Sequence, residues 1–281
     1  VLITGCSTGI GRATSETLVA AGYTVVATAR RPETLDGIGA AMALALDVTD
    51  EESISAAVGQ VLRRHGRIDA LVNNAGYAIF GALEEIDAGA VGAMLDANVV
   101  GIVRMVRAVA PGMRARGTGR VVNVGSLAGK LAGPANGAYA ASKHAVEALS
   151  DVLRWELGAF GIKVILVEPG SIGSHFYETA LRGSRGVLGR AESPYAPLYA
   201  SVADANAQIR ATEPGPEAVA RVILAALRAE RPRARYAAAI PFAARVAMAL
   251  PDAAKDLVVR RLYHLDSLPR AGTVSRQEAL A

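Results

Sequence analysis

Short apolar runs alternate along the chain with longer stretches in which apolar residues recur every three or four positions, a pattern that predicts strands joined by helices in a parallel sheet. Val1-Leu2-Ile3 reads as a buried strand, Thr4 to Gly11 as a tight turn, and the residues after it as a helix with Ala13, Thr17, Leu18 and Ala21 on one side. Tyr23 to Thr28 and Ala43 to Leu46 read as the second and third strands, followed by an amphipathic helix over Glu51 to Arg64. Ala70-Leu71-Val72 is the fourth strand, a helix lies near Val91 to Val109, and Arg120 to Gly125 is the fifth strand. A glycine- and alanine-rich loop, Leu127 to Gly137, leads into a helix from Tyr139 to about Phe160, and Lys163 to Val167 is the sixth strand. Pro216 to Ala229 reads as a helix and Arg235 to Ala239 as the last strand. With no internal repeat and no dividing linker, residues 1–281 are expected to form a single domain.

Several positions in this pattern carry chemistry. Gly5, Gly9 and Gly11 sit between a strand and a helix, where bare backbone admits a pyrophosphate to the amides at the helix N-terminus. The second strand ends in Ala29-Arg30-Arg31, where a carboxylate would serve ribose hydroxyls and an arginine serves a 2′-phosphate; NADP(H) is therefore preferred over NAD(H). Asp47, after the third strand, is placed to accept from an adenine amine, and the small residues of Asn73-Asn74-Ala75-Gly76 let a cofactor lie on the backbone. Asn98 falls in an apolar setting and needs partners there, so a structural hydrogen bond to neighbouring backbone stands beside any role in the site. Ser126 arrives at the carboxyl end of a strand, the ligand side of an open parallel sheet. Tyr139 and Lys143, four positions apart on a helix, share a face. A neighbouring ammonium favours the phenolate, so Lys143 is expected to lower the Tyr139 pKa toward general acid–base use.

Composition narrows the classes. With 52% hydrophobic and 20% charged residues the chain is globular, and a net charge of +4 is too small and dispersed, with 5% aromatics, for nucleic acid. Cys6 is the single cysteine, which excludes an intrachain disulfide, and no metal site is expected. No uninterrupted apolar run reaches the length of a membrane span and no leader pattern opens the chain, so a cytoplasmic location is the default. The chain starts without methionine, so a few residues are expected to precede Val1, and a targeting segment among them stays open.

Thr4-Gly5-x-x-x-Gly9-x-Gly11, Asn73-Asn74-Ala75-Gly76, Asn98, Ser126, Tyr139-x-x-x-Lys143 and Pro169-Gly170, in this order and spacing from Val1 to about Ser174, resemble the short-chain dehydrogenase/reductase family in its single-domain form. The resemblance implies an α/β fold, a doubly wound, Rossmann-type, mainly parallel seven-stranded sheet with helices on both faces. It implies Tyr139 as acid–base residue, Lys143 lowering its pKa and holding the nicotinamide ribose, Ser126 orienting the substrate oxygen, and Asn98 holding a water that links Lys143 to solvent. Cofactor contacts are implied for Gly5, Ser7, Thr8, Gly9, Ile10, Gly11, Arg30, Asp47, Val48, Asn74, Ala75, Gly76, Tyr139, Lys143, Pro169, Gly170, Ile172 and Ser174, the last standing where the family commonly has threonine. Ser7 with Arg30 resembles the NADP(H)-using members, and the surrounding runs look most like the hydroxysteroid- and retinol-dehydrogenase-like branch. A homodimer or homotetramer, through the helices bearing Asn98 and Tyr139, is implied in the same way.

Beyond Ser174, His175 to Glu213 mixes Phe176, Tyr177, Leu181, Leu188, Tyr195 and Tyr199 with glycines and prolines, the composition of a mobile lid over an apolar pocket. A hydrophobic ketone, aldehyde or secondary alcohol is the expected substrate, against the alternative of a cofactor-binding regulatory or scaffold protein without chemistry. Residues 214–281 hold the last strand and an apolar, basic extension with Arg245, Lys255, Arg260 and Arg261. Packing over the body is expected for it, ahead of a subunit contact or a peripheral contact with a membrane surface. A loose tail is expected from Asp266.

Overall fold

The computed structural model describes residues 1–210 and 212–268. Its strands are β1 (Leu2–Ile3), β2 (Val26–Ala29), β3 (Met42–Ala45), β4 (Ala70–Asn73), β5 (Gly119–Val124), β6 (Ile162–Pro169) and β7 (Arg235–Ala238). They form one seven-stranded sheet in the order β3-β2-β1-β4-β5-β6-β7, with every neighbouring pair parallel. Chain order reverses between β1 and β4, so their carboxyl ends flank the crevice where ligands bind such sheets.

Strand alternation feeds two cores. Leu2, Leu71, Val121, Val164 and Leu166 point to one face, where α2 (Glu51–His65), α4 (Gly101–Arg116) and α5 (Gly137–Gly158) bury Ile54, Val58, Met105, Val109 and Val146. Ile3, Val72, Val122, Ile165 and Val167 point to the other, covered by Leu18 of α1 (Gly9–Ala20) and by Val219, Ile223 and Leu227 of α9 (Glu217–Arg228). Asp50 opens α2 by accepting from the amides of Glu52 and Ser53, and Gly66 closes it in the left-handed conformation.

The helix expected near Val91 to Val109 is longer and interrupted. It runs as α3 (Ala88–Leu95), a π-helical turn (Asp96–Val100) that carries Asn98, and then α4. The whole stretch Ala88–Arg116 is long and apolar enough to span a membrane by length and composition. In the fold the apolar side of α4 is used otherwise: Ile102, Met105, Val106, Val109, Ala110 and Met113 are buried against the sheet.

The segment 175–213, expected as a lid, folds as α6 (His175–Gly183), α7 (Arg185–Leu188) and α8 (Ala196–Arg210). Gly183 closes α6, Gly189 follows α7 and Pro197 lies in the first turn of α8. One reading of the second half is corrected. The extension, expected to pack over the body, forms α10 (Phe242–Ala249) and α11 (Asp252–Leu262), and neither helix has a buried residue. Phe242, Val246, Leu257, Val258 and Leu262 are exposed, and contact with the body comes at the end of α11, where Tyr263 sits over Gly133. Arg260 pairs with Asp266 at 2.6 Å, and Leu265–Ser267 is a 3-10 turn, so the expected tail starts ordered; beyond residue 268 it lies outside the described residues.

Candidate active site

The carboxyl ends of β1, β4 and β5 deliver the glycine turn, the Asn73 to Gly76 turn and Ser126 to one side of the sheet. Thr4 knits the first two together: its Oγ1 accepts from the amides of Asn74 (3.0 Å) and Ala75 (3.1 Å). The Asn74 side chain donates to the carbonyls of Thr4 (2.9 Å) and Gly5 (3.0 Å), so it braces the turn and has no amide hydrogen left for a ligand. Close approach explains the glycines. A Cβ on Gly11 would stand 2.2 Å from the Gly5 carbonyl oxygen, and one on Gly5, whose φ is +72°, would stand 2.8 Å from Ala75 Cα. Cys6, enclosed in the same turn, is pushed up to about 11 by burial and stays a thiol.

Ser126 begins a 3-10 turn (Leu127–Gly129), its Oγ accepting from the Ala128 amide at 3.1 Å. The first turn of α5 sets Tyr139 beside it, where the Ser126 hydroxyl favours the phenolate. Lys143, one turn on, is buried and donates from Nζ to the Val124 carbonyl at 2.8 Å; Nζ lies 5.7 Å from the Tyr139 ring centre. The structure therefore gathers Ser126, Tyr139 and Lys143 as the spacing predicted, with one correction. Burial pushes the Tyr139 phenol up to about 12 despite the Ser126 hydroxyl, and burial also lowers Lys143 to about 8. The expected depression of the phenol by Lys143 is absent here because desolvation dominates both groups.

Asn98 makes the structural hydrogen bonds to backbone that its apolar setting required. Its Oδ1 accepts from the Tyr77 amide at 3.0 Å, and its Nδ2 donates to the Tyr77 carbonyl at 2.8 Å and to Ser142 Oγ at 3.1 Å. The side chain thus pins the residue after the Asn73 to Gly76 turn to α5. Gly76 is tied to this arrangement, since a Cβ there would sit 2.8 Å from Asn98 Oδ1.

The remaining predicted positions line the same crevice. Arg30, exposed at the end of β2, lies near Asp47. Burial pushes the Asp47 carboxyl up, but hydrogen bonds from Thr49 and the charges of Arg30 and Arg104 outweigh it and hold it low. Val48 is buried against Gly101, which leaves only its backbone for a ligand. Ser174 faces the open side of Gly9, 3.5 Å from where a Cβ would be, and caps α6 through the Phe176 amide. Pro169 and Gly170 leave β6 pressed on β7, the Gly170 amide donating to Ala238 at 2.8 Å. Ile172 packs on the core beneath.

Sequence reading missed Ser142 as the partner of Asn98; its signal is a hydroxyl on the buried side of a helix one residue before Lys143. It also missed Phe80, which with Ala135, Tyr177, Leu181, Leu188 and Tyr199 lines an apolar cleft of about 450 Å³ under α6 to α8. Phe176 of α6 packs tilted on Tyr139 with ring centres 5.6 Å apart, while the next residue, Tyr177, lines the cleft. Tyr195, expected in the pocket, packs against Tyr199 behind it.

The short chain dehydrogenase family model matches residues 1–183. The chain is 38% identical over 267 residues to human 17-beta-hydroxysteroid dehydrogenase type 1, covering 90% of this chain and 81% of that protein. A short chain dehydrogenase/reductase from Burkholderia phymatum in complex with NAD superposes with a TM-score of 0.75 at 27% identity, covering 92% of this chain and 94% of that one. A metagenomic short-chain oxidoreductase in complex with NADP gives 0.66 at 29% identity, covering 85% and 97%. The chain belongs to the short-chain dehydrogenase/reductase family of oxidoreductases, which act on CH–OH or carbonyl groups and bind a nicotinamide cofactor. Its residues fit that group: Thr8 makes no capping hydrogen bond to α1 and the first turn holds no acid, so backbone amides face the crevice at the glycine turn.

Proposed function

We propose that the protein is an NADP(H)-preferring oxidoreductase for hydrophobic ketones, aldehydes or secondary alcohols of steroid, retinoid or lipid type. The observation that carries this reading is the Ser126–Tyr139 pair under Phe176 of α6, the helix whose Tyr177 and Leu181 line the apolar cleft with Phe80. The similarity to a hydroxysteroid dehydrogenase supports the substrate class. When bound, the cofactor supplies or accepts the hydride. The chain does the rest. The glycine turn holds the pyrophosphate, Arg30 takes the 2′-phosphate, and Lys143 and the Pro169 to Ser174 turn hold the nicotinamide end. Ser126 orients the substrate oxygen, and Tyr139 gives it a proton in reduction or takes one in oxidation.

The test is the initial rate of NADPH oxidation, with NADH in parallel, over steroid, retinoid, aliphatic and aromatic carbonyls. Turnover with the larger apolar carbonyls and a clear NADPH preference are expected. Arg30→Ala should cut that preference roughly ten- to a hundredfold, the worth of a charge-assisted hydrogen bond. An NADH preference in the wild type would remove the role given to Arg30, and tight NADPH binding without any turnover would favour a binding role without chemistry.

The assembly we propose is a homodimer or homotetramer joined along α4 and α5, where Val103, Val152 and Trp155 are exposed, with Val100 just before α4 and Phe160 just after α5. Sedimentation should give a mass of two or four chains that Trp155→Asp reduces, since a buried unpaired charge opposes association. A monomeric wild type would sink this assembly.

A further inference from the structure

Behind the site lies a cluster of charges that the reaction itself does not use. Glu147, one turn after Lys143 on α5, and Glu168, next to Pro169 at the end of β6, are both buried. Lys130, which ends the turn begun by Ser126, places Nζ 2.6 Å from Glu147 Oε2 and 3.6 Å from Glu168 Oε1. Arg235, at the start of β7, reaches Glu147 Oε2 at 3.2 Å, Glu168 Oε1 at 3.7 Å and Asp151 Oδ2 at 2.7 Å, and Arg154 neutralises the other oxygen of Asp151 at 2.8 Å. Glu147 Oε1 and Glu168 Oε1 receive no hydrogen bond from an N–H or hydroxyl group among the described residues, so the ion pairs with Lys130 and Arg235 are what offset the burial of these carboxylates.

The location matters more than the pairing. Three of the four sit within a turn of a segment that carries site chemistry, Lys130 on the Ser126 turn, Glu147 on the Tyr139–Lys143 helix and Glu168 beside the Pro169-Gly170 turn, and Arg235 joins them from β7. Gly129 lets the first two touch, because a Cβ there would stand 2.9 Å from the Lys143 carbonyl and 3.1 Å from Glu147 Cγ. Buried ionic groups add little net stability, and their best-attested use is to fix one register among several. We propose that Lys130, Glu147, Glu168 and Arg235 are positioning residues that hold the Ser126 turn, the Tyr139–Lys143 helix and the turn after β6 in one register. This rests on the oxidoreductase reading for its effect on rate.

The test compares Lys130→Met with Lys130→Arg and Glu168→Gln in the full chain, by amide hydrogen exchange and by NADPH-dependent reduction of the best carbonyl in the panel. Lys130 is partly exposed, so its methionine variant should stay folded. Lys130→Met is expected to speed exchange in both 126–130 and 170–173, and to lower kcat roughly tenfold with KM unchanged, since about 1 Å of misplacement costs about a hundredfold. Lys130→Arg should restore both readouts, and Glu168→Gln, which removes the charge that Lys130 and Arg235 meet on β6, should speed exchange in 170–173. Faster exchange confined to 126–130, or none, would overturn the proposal. If no carbonyl is reduced by the wild type, the oxidoreductase reading fails while the exchange result still decides the network.

Discussion

Tyr139→Phe is expected to lower kcat for carbonyl reduction by about 10²- to 10⁴-fold, the range a positioned general acid contributes, while NADPH affinity stays near that of the wild type. The ring keeps its contact with Phe176 and its place on α5, so only the proton donor beside Ser126 is lost. Direction follows from the same geometry. A phenol pushed up to about 12 is protonated at neutral pH, the form reduction needs; oxidation needs the phenolate. Reduction should therefore run at full rate near neutrality, and oxidation should rise with pH. Initial rates in both directions between pH 6 and about pH 10, near the unperturbed phenol pKa, check this. A Tyr139→Phe variant that retains most of its activity would remove the tyrosine from the chemistry.

How much of this was legible in the sequence differs by region for physical reasons. Strands β1 and β4 are fully buried, and β5 and β6 are buried but for Arg120 and Lys163, so their apolar runs announced themselves, and the glycines of the first turn marked close approaches that the structure measures. Ser126, Tyr139 and Lys143 were readable because a strand end and one helical turn bring them together. Asn98 was readable as needing structural hydrogen bonds, but its partners and those of Asn74 were not, since Tyr77, Ser142 and Thr4 lie on other elements. The charge cluster was invisible for the same reason: Lys130, Glu147, Glu168 and Arg235 come from four segments, and charged residues read singly suggest solvent. In the 175–213 region the helices were not legible, because glycines and prolines weigh on composition while tertiary contacts hold the helices between them. Ser184 Oγ, for example, accepts from the Phe80 amide at 2.7 Å, and Glu85 accepts from both Ser193 and Tyr199.

Lys143 makes the second large prediction, one of stability rather than rate. Burial lowers its pKa from 10.5 to about 8, so the fold penalises its charge. Below about pH 8 folded and unfolded chains both carry the proton and the penalty is fully present. Between about 8 and 10.5 the folded protein has released a proton that the unfolded chain still binds, so Lys143 makes stability rise with pH across that window. The difference corresponds to roughly 3 kcal/mol for so buried a group. Lys143→Met removes this slope but leaves the Val124 carbonyl without its donor, a loss of about 1–3 kcal/mol that does not vary with pH. The absolute stabilities at neutral pH can thus nearly coincide. The pH dependence separates them: with cofactor absent, the denaturation midpoint of the wild type should gain on that of Lys143→Met from pH 8 to about pH 10, with all other titrations common to both. Parallel curves would mean that Lys143 is not held at a penalty. An ammonium kept at such a penalty beside Tyr139 is a charge the folded chain does not need for itself, and the variant should lose turnover while losing little or no stability at neutral pH.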